Sequence, residues 1–203
     1  MRIGVLGTGM VGRAISGKLA ELGHDVRVGS RTEGDGTVVF ADAAAHGELV
    51  FNCTNGAASI DALTAAGADN LAGKVLIDVS NALDFSSGGP ALFTDTLDSL
   101  AERIQAAFPS ARVVKALNTI NCTVMVDPAS VPGDHVVFVC GNDDAAKEQV
   151  TALLGKFGWP ARRVLDLGDL TAARGTEHYL MLWLRLWGAV GGPQFNIAVN
   201  RQS

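Results

Sequence analysis

The strongest fold signal in the sequence is the stretch MRIGVLGTGMVGRAISGKLAEL, residues 1–22. Within it, RIGVL is a short apolar run bounded by glycine, which is typical of a buried strand, and VGRAISGKLAEL carries apolar side chains at helical spacing. Between the two, GTGMVG at residues 7–12 satisfies the pattern G-x-G-x-x-G. The stretch therefore predicts a strand, a tight glycine turn and a helix.

This glycine turn is the pattern of a dinucleotide-binding site. Gly7 would make the tight turn, Gly9 would let a pyrophosphate approach the backbone, and Gly12 would let helix and strand pack closely. The phosphates would then face free amide groups at the positive end of the helix, without needing a cationic side chain. A glycine-rich turn that binds no ligand is the alternative.

Seven further short apolar runs predict strands. They are HDVRVG (24–29), TVVF (37–40), LVFNC (49–53), KVLIDVS (74–80), ARVVKAL (111–117), HVVFVC (135–140) and RRVLDL (162–167). Helical or loop segments separate them, and strands that are apolar throughout must be buried on both faces. The prediction is an α/β, Rossmann-type doubly wound fold with a mainly parallel sheet over residues 1–170. An apolar C-terminal helix and tail, residues 171–203, would pack on the same domain or on a dimer partner.

Residues 28–32 read VGSRT, where a dinucleotide site usually carries an acid. That acid binds the ribose hydroxyls of NAD and would repel the 2′-phosphate of NADP. The chain instead offers Ser30, Arg31 and Thr32, a guanidinium between two hydroxyls, and the first acid is Glu33. We therefore expect NADP(H) as the cofactor, with a solvated loop arginine as the alternative.

Polar residues follow several predicted strands, at the edge where such sheets bind ligands. Small hydroxyl and amide side chains there would suit hydrogen bonding to ribose and carboxamide, although each one alone could be a turn or cap residue. The expected cofactor-binding set is Gly7, Thr8, Gly9, Met10, Val11, Gly12, Ser30, Arg31, Thr32, Cys53, Thr54, Asn55, Ser80, Asn81, Asn118 and Thr119.

No general acid, general base or metal ligand stands out. None of the four histidines, at positions 24, 46, 135 and 178, falls at a predicted strand end facing the cleft, and His24 and His135 are expected at the surface. Oxidation of an alcohol would need a base. Hydride exchange between two ring systems can depend mainly on orientation, so we assign no catalytic residue and no metal site.

The composition describes an ordinary globular chain. It has 203 residues, 48% of them hydrophobic, and a net charge of −5, which gives no reason to expect nucleic acid as a partner. The apolar stretch from Tyr179 is interrupted by Arg185 and glycines before it reaches the length of a membrane span, and the N-terminus shows no signal peptide. Three dispersed cysteines suggest neither a disulfide framework nor a zinc site. We expect a cytoplasmic protein that does not bind a membrane.

The chain resembles the NADPH-dependent reductases of coenzyme F420, a deazaflavin, and their wider relatives, which include the cytosolic reductase domains of some membrane ferric reductases. The motifs that carry this resemblance are MRIGVLGTGMVGRAI, VGSRT, VLIDVSNALD, RVVKALNT and DLGDLTAARGTEHY, the last followed by an apolar helix. The resemblance implies NADP bound at residues 8–11 and at Ser30 and Arg31, a deazaflavin ring stacked on the nicotinamide, direct hydride transfer, and a homodimer.

Several questions stay open at this point. The leading hypothesis is an NADP(H)-dependent oxidoreductase that acts on a small planar redox substrate, a deazaflavin (coenzyme F420) or a flavin. The alternatives are a non-enzymatic NADP(H)-sensing module and a ferric or imine reductase. Trp183 and Trp187 belong either to the core or to a dimer interface, and the tail after residue 191 could cover the cleft with Phe195 or Asn196. The connection at residues 81–95 either contacts substrate or is a surface loop.

Overall fold

The computed structural model describes residues 1–86 and 88–200. The strands are β1 (Arg2–Leu6), β2 (Asp25–Ser30), β3 (Thr37–Val39), β4 (Leu49–Asn52), β5 (Val75–Asp78), β6 (Leu83–Asp84), β7 (Ala91–Leu92), β8 (Arg112–Ala116), β9 (Val137–Gly141) and β10 (Val164–Asp166). The α-helices are α1 (Met10–Glu21), α2 (Phe40–His46), α3 (Ser59–Ala66), α4 (Ala68–Leu71), α5 (Leu100–Ala107), α6 (Cys122–Val126), α7 (Asp144–Lys156) and α8 (Ala173–Val190).

The main sheet confirms the predicted Rossmann-type fold. Its eight strands follow the order β10-β9-β8-β5-β4-β1-β2-β3, and every neighbouring pair is parallel except β8 and β9. The run from β3 to β8 has the order of a dinucleotide-binding sheet, and the direction of winding reverses between β1 and β4. A ligand crevice is expected at the carboxyl ends of the strands at this reversal.

Both faces of the sheet are covered. Neighbouring residues along a strand belong to two different hydrophobic clusters, one on each face. Val5 and Phe51 pack on the face that also buries Ile15 of α1. Leu6 and Val50 pack on the opposite face, with residues of α2, α3 and α5. This alternation explains why the strands are apolar throughout.

The connection after β5 contains a small antiparallel hairpin, in which β6 pairs with β7. The predicted loop at residues 86–90 includes Ser87, which lies outside the described residues. Residues 201–203 at the end of the predicted C-terminal segment also lie outside them. Among the helices of the described residues, none combines the length and apolar character that a membrane span requires.

His135 is buried, with 3% of its surface exposed, so its predicted place at the surface is wrong. Its Nε2 lies 2.9 Å from the carbonyl oxygen of Pro128, and its Nδ1 lies 3.0 Å from Nδ2 of Asn196. The ring also meets Trp159 edge to face, with 5.2 Å between the ring centroids. Pro128, seven residues earlier, and Asn196 in the C-terminal tail provide partners for both ring nitrogens, so the polar ring can be buried without losing its hydrogen bonds.

The C-terminal tail folds back on helix α8 and on the start of β9. Phe195 stacks on Trp183, with ring centroids 5.4 Å apart, and the Asn196 side chain donates a 2.8 Å hydrogen bond to the carbonyl oxygen of Val136. Trp183 is 8% exposed and belongs to the core, whereas Trp187 is 43% exposed. The core interpretation therefore holds for one tryptophan of the pair.

Replacing the stacked tail aromatic should destabilise the fold. We expect Phe195→Ala to lower the free energy of unfolding by about 2 kcal/mol, because it removes the stacking on Trp183 and leaves a gap. Chemical denaturation followed by tryptophan fluorescence measures this change. Val199→Ala is the control, since Val199 is a half-exposed residue of the same tail. An unchanged midpoint in Phe195→Ala would show that the tail does not hold α8.

Candidate nucleotide-binding site

The strand register brings three distant segments to one edge of the sheet. Leu6 pairs with Gly29 on one side and with Asn52 on the other, so β1, β2 and β4 end at the same level. Two further hydrogen bonds fix the residues that follow: the Gly7 N–H donates to the Gly29 carbonyl at 2.9 Å, and the Cys53 N–H donates to the Leu6 carbonyl at 2.8 Å. The loops after these strands therefore lie side by side.

A cavity of about 830 Å³ opens at this edge, at the reversal of strand order. Nine of the residues expected to bind the cofactor line it: Gly7, Thr8, Gly9, Ser30, Arg31, Thr32, Cys53, Thr54 and Asn55. The remaining lining residues are Val39, Phe40, Ala41, Ala58, Asp61, Ala62 and Ala65, from α2, α3 and their flanks. The wall thus combines apolar and polar residues, and among the described residues that line it Arg31 is the one basic residue and Asp61 the one acidic residue.

Glycine stands at each of the three positions of the turn for a different physical reason. Gly7 has φ 117°, and a Cβ there would lie 2.6 Å from the Cys53 carbonyl oxygen. A Cβ on Gly12 would lie 2.0 Å from the Gly7 carbonyl oxygen. Gly9 has φ −70°, and a Cβ there would meet no atom within 4 Å. The packing of the protein requires glycine at positions 7 and 12, whereas at position 9 it leaves open space that a ligand can fill.

Helix α1 begins at this open space and suits an anion. Its N-cap, Gly9, provides no side-chain hydrogen bond, and its first turn contains no acidic residue. The first backbone N–H groups of a helix have no partner within the helix, and the helix dipole makes this end positive. The turn can therefore accept an anion, and a pyrophosphate there remains a prediction.

The loop after β2 forms the other polar part of the cavity. Ser30 is half-buried, and its hydroxyl donates a hydrogen bond to the Thr32 carbonyl oxygen, which tightens the loop around Arg31. Arg31 is exposed, and no acidic group of the described residues forms an ion pair with it. A guanidinium in a cavity wall, with no ion pair to an acidic group of the described residues, fits a phosphate group.

The other predicted residues are not in the cavity wall. They are Met10, Val11, Gly12, Ser80, Asn81, Asn118 and Thr119. Met10 is exposed at the start of α1, whereas Asn118 and Thr119 are buried after β8. Asn81 and Asn118 bond each other: Nδ2 of Asn118 donates to Oδ1 of Asn81 at 3.0 Å, and Nδ2 of Asn81 donates to the Asn118 carbonyl at 2.8 Å. This pair joins the ends of β5 and β8.

The segment that contains the cavity-lining residues after β4 contacts the segment that contains Ser80 and Asn81 at Gly56. A Cβ on Gly56 would lie 1.8 Å from the Asn81 carbonyl oxygen, so the loops after β4 and β5 pack directly on each other. Leu117, which precedes Asn118, is buried with φ 67°, a conformation that non-glycine residues adopt rarely. The backbone is therefore tightly constrained where the loops after β4 and β5 pack on each other and where β8 ends.

Sequence reasoning missed a buried charged cluster behind these loops. Lys115 Nζ lies 2.7 Å from Oδ2 of Asp78 and 2.8 Å from Oε1 of Glu177, and all three side chains are fully buried. The signal was present, because Asp78 and Lys115 are charged residues inside strands predicted to be buried on both faces, which requires them to pair. Burial opposes the charge on Lys115, but the two carboxylates outweigh it and raise its pKa.

Cys53 lines the cavity with a largely buried side chain. Burial raises the pKa of its thiol, and the nearby carboxylate of Asp78 adds to the effect. The thiol stays protonated, and the thiolate is the reactive form.

Comparisons with known proteins agree with the fold. The family model described as NADP oxidoreductase, coenzyme F420-dependent, matches residues 2–82. A crystal structure from Arthrobacter sp. FB24, described as a candidate F420-dependent NADP reductase, is 50% identical, with a TM-score of 0.93 over 99% of this chain and 100% of that one. Among curated proteins, the metalloreductase STEAP3 of Rattus norvegicus is 29% identical over 92% of this chain and 38% of its own. The F420-dependent NADP reductase of Methanocaldococcus jannaschii is 28% identical over 54% of this chain and 48% of its own.

Fold, cavity and relatives define the class, an NADP-dependent oxidoreductase built on a Rossmann-type sheet. The chain belongs to the family of coenzyme F420-dependent NADP oxidoreductases. It spans less than half the length of the curated relatives it matches.

Proposed function

We propose that the chain binds NADPH in the 830 Å³ cavity and transfers its hydride to a deazaflavin, coenzyme F420. The observation that supports this most directly is a pair of features in one cavity wall: the open space at Gly9, and the guanidinium of Arg31, with which no acidic group of the described residues forms an ion pair. The first would receive the pyrophosphate and the second the 2′-phosphate. NADPH, when bound, supplies the hydride.

The protein residues have binding and orienting roles in this proposal. The turn at residues 8–11 would hold the pyrophosphate, and Ser30, Arg31 and Thr32 would surround the 2′-phosphate. Cys53, Thr54 and Asn55 would contact the nucleotide next to the turn. The loops that contain Ser80, Asn81, Asn118 and Thr119, which the Asn81–Asn118 hydrogen bonds join, would form the part of the site that binds the nicotinamide.

Hydride transfer to a deazaflavin fits the cavity because the hydride would pass from NADPH to a ring carbon and the ring would take up one proton from solvent, so no acid or base is required from the protein. The titratable residues in the cavity wall are Arg31, Cys53 and Asp61, and the Cys53 thiol is held neutral. Orientation of two rings in contact is then the main contribution of the protein, and this can lower a barrier by about 7 kcal/mol or more. The relatives described as F420-dependent reductases support the choice of acceptor.

A spectrophotometric assay tests this proposal. We expect purified protein to oxidise NADPH in the presence of coenzyme F420, and to do so faster than with a free flavin or a ferric chelate. NADPH binding without turnover on any of the three acceptors would favour the alternative of a sensing module. Turnover that excludes the deazaflavin would disprove the proposed acceptor.

A ferric chelate is the second candidate acceptor. It is favoured by the similarity to STEAP3, a metalloreductase, over 92% of this chain. The same assay separates the two candidates, since each acceptor is offered alone.

We also propose a homodimer formed through α8. The outer side of this helix exposes Leu182 (55%), Trp187 (43%) and Val190 (60%), an apolar surface that a second copy of the helix would cover. Light scattering should give the mass of a dimer, and Trp187→Glu should shift it toward the monomer. A wild-type monomer would contradict the proposal.

A further inference from the structure

We infer that Glu177 is a positioning residue for the cofactor, which acts through Lys115 and Asp78 on the strand ends at the nicotinamide half of the site. The inference rests on the proposed function and adds a residue outside the cavity. Glu177 lies on α8 and does not line the cavity.

Lys115 is the centre of the network. Its Nζ has three acceptors, which match its three N–H groups: Asp78 Oδ2 at 2.7 Å, Glu177 Oε1 at 2.8 Å and the Ser80 carbonyl oxygen at 2.6 Å. The bond to Ser80 holds the backbone directly after β5. The position of that backbone therefore depends on where the ammonium group is held.

The second carboxylate oxygen of Asp78 extends the network toward the cavity. Oδ1 accepts from the Ser80 hydroxyl at 2.6 Å, from the Ser80 N–H at 3.2 Å and from Asn52 Nδ2 at 2.8 Å. Oδ1 of Asn52 in turn accepts from the Thr54 hydroxyl at 2.7 Å. Thr54 lines the cavity, so an unbroken chain of hydrogen bonds runs from helix α8 to the cavity wall.

Strand register explains why a few side chains are enough to connect these loops. Asn52 pairs with Asp78, and Asp78 pairs with Lys115, so the three polar residues lie side by side across β4, β5 and β8. All three are buried, and each is at or near the carboxyl end of its strand. The row therefore joins the three loops that follow these strands.

Glu177 anchors this row from outside the sheet. Oε2 accepts from the Leu100 N–H at 2.8 Å, and Oε1 accepts from the Ala101 N–H at 3.1 Å, at the start of α5. The carboxylate is thereby fixed by two helices while it holds Lys115. Loss of its charge would free the ammonium to move, and the backbone at Ser80 would move with it.

A second ion pair joins the same two helices without reaching the strands. Arg174 of α8 donates to Glu102 of α5 through Nε at 2.9 Å and through Nη2 at 2.6 Å. This pair provides a matched control, because it contributes to the packing of α8 on α5 and has no hydrogen bond to the loops at the cleft among the described residues.

The test compares two ligands. NADPH would occupy the whole site, whereas adenosine 2′,5′-bisphosphate would reach only the end with Arg31. We expect Glu177→Gln to weaken NADPH binding about tenfold, which is the size of effect that a network residue away from the ligand exerts. The affinity for the bisphosphate should change by less than about twofold. Arg174→Met should leave both dissociation constants within about twofold of wild type. Calorimetry measures both ligands, and circular dichroism establishes that each variant is folded.

A second variant covers the case in which Glu177→Gln does not fold. Glu177→Asp keeps the buried negative charge but is one methylene too short to hold Lys115 and both N–H groups of α5, so the same selective loss of NADPH affinity is expected. Equal weakening of both ligands, or no change in either, would show a purely structural role and overturn the inference. A wild-type protein that binds neither nucleotide would overturn the proposed function itself, and the inference with it.

Discussion

Arg31→Asp is expected to reverse the preference of the protein between NADPH and NADH. Arg31 is the single basic residue in the cavity wall, and no carboxylate of the described residues pairs with it. The substitution removes the guanidinium that would bind the 2′-phosphate and places in the loop a carboxylate that can bind ribose hydroxyls. Since hydrogen bonds to charged groups contribute about 1.5–3 kcal/mol, the ratio of the two affinities should change about 100-fold.

Calorimetry with both nucleotides measures this ratio. Arg27→Asp is the matched control, because it makes the same charge change at an exposed residue of β2, the strand that precedes Arg31, and Arg27 does not line the cavity. The control should change the ratio less than about threefold, since exposed charges are screened by salt. If Arg31→Asp left the preference unchanged, or if wild type preferred NADH, the assignment of the 2′-phosphate site would be wrong.

Gly9→Thr should abolish most NADPH binding without loss of stability. A Cβ at this position meets no protein atom within 4 Å, and the backbone is extended with φ −70° and ψ −175°, which suits threonine. Threonine is about as good an N-cap as glycine, so the helix should not suffer. The side chain would, however, fill the space needed by the pyrophosphate and cap an N–H group that would otherwise bind it. We expect NADPH affinity to fall about 100-fold.

Two other glycines of α1 provide the controls. Gly17→Thr makes the same substitution on the same helix, at a position that is also open, and should leave NADPH affinity unchanged. Gly12→Ala should instead destabilise the fold, because its Cβ would lie 2.0 Å from the Gly7 carbonyl oxygen. Thermal unfolding and calorimetry together separate the three variants. Unchanged NADPH binding in Gly9→Thr would show that the turn is not the phosphate site.

The fold could be predicted because its signals are local. A strand, a glycine turn and a helix follow from the residues of one short stretch, and apolar runs predict buried strands whatever their neighbours are. All eight strands predicted from the sequence are present in the main sheet. The class of cofactor was also a local inference, since it depends on the residues just after β2.

The hydrogen-bond partners of individual polar side chains were harder to predict. Thr54, Ser80, Asn81 and Asn118 follow strands as expected, but their side chains bond other protein groups. His135 was placed at the surface because a strand start is often exposed, whereas the tail residue Asn196, 61 positions later, covers it. Such partners cannot be read from neighbours in the sequence.

The sequence by itself determined the doubly wound sheet, the glycine turn and the absence of an acid after the second strand, since each depends on residues close together along the chain. Only the tertiary structure decided which glycine leaves room for a ligand and which polar residues join Lys115 behind the cleft. Those features depend on distances of a few ångströms between segments that are far apart in the chain, and these distances are set when the sheet and helices pack.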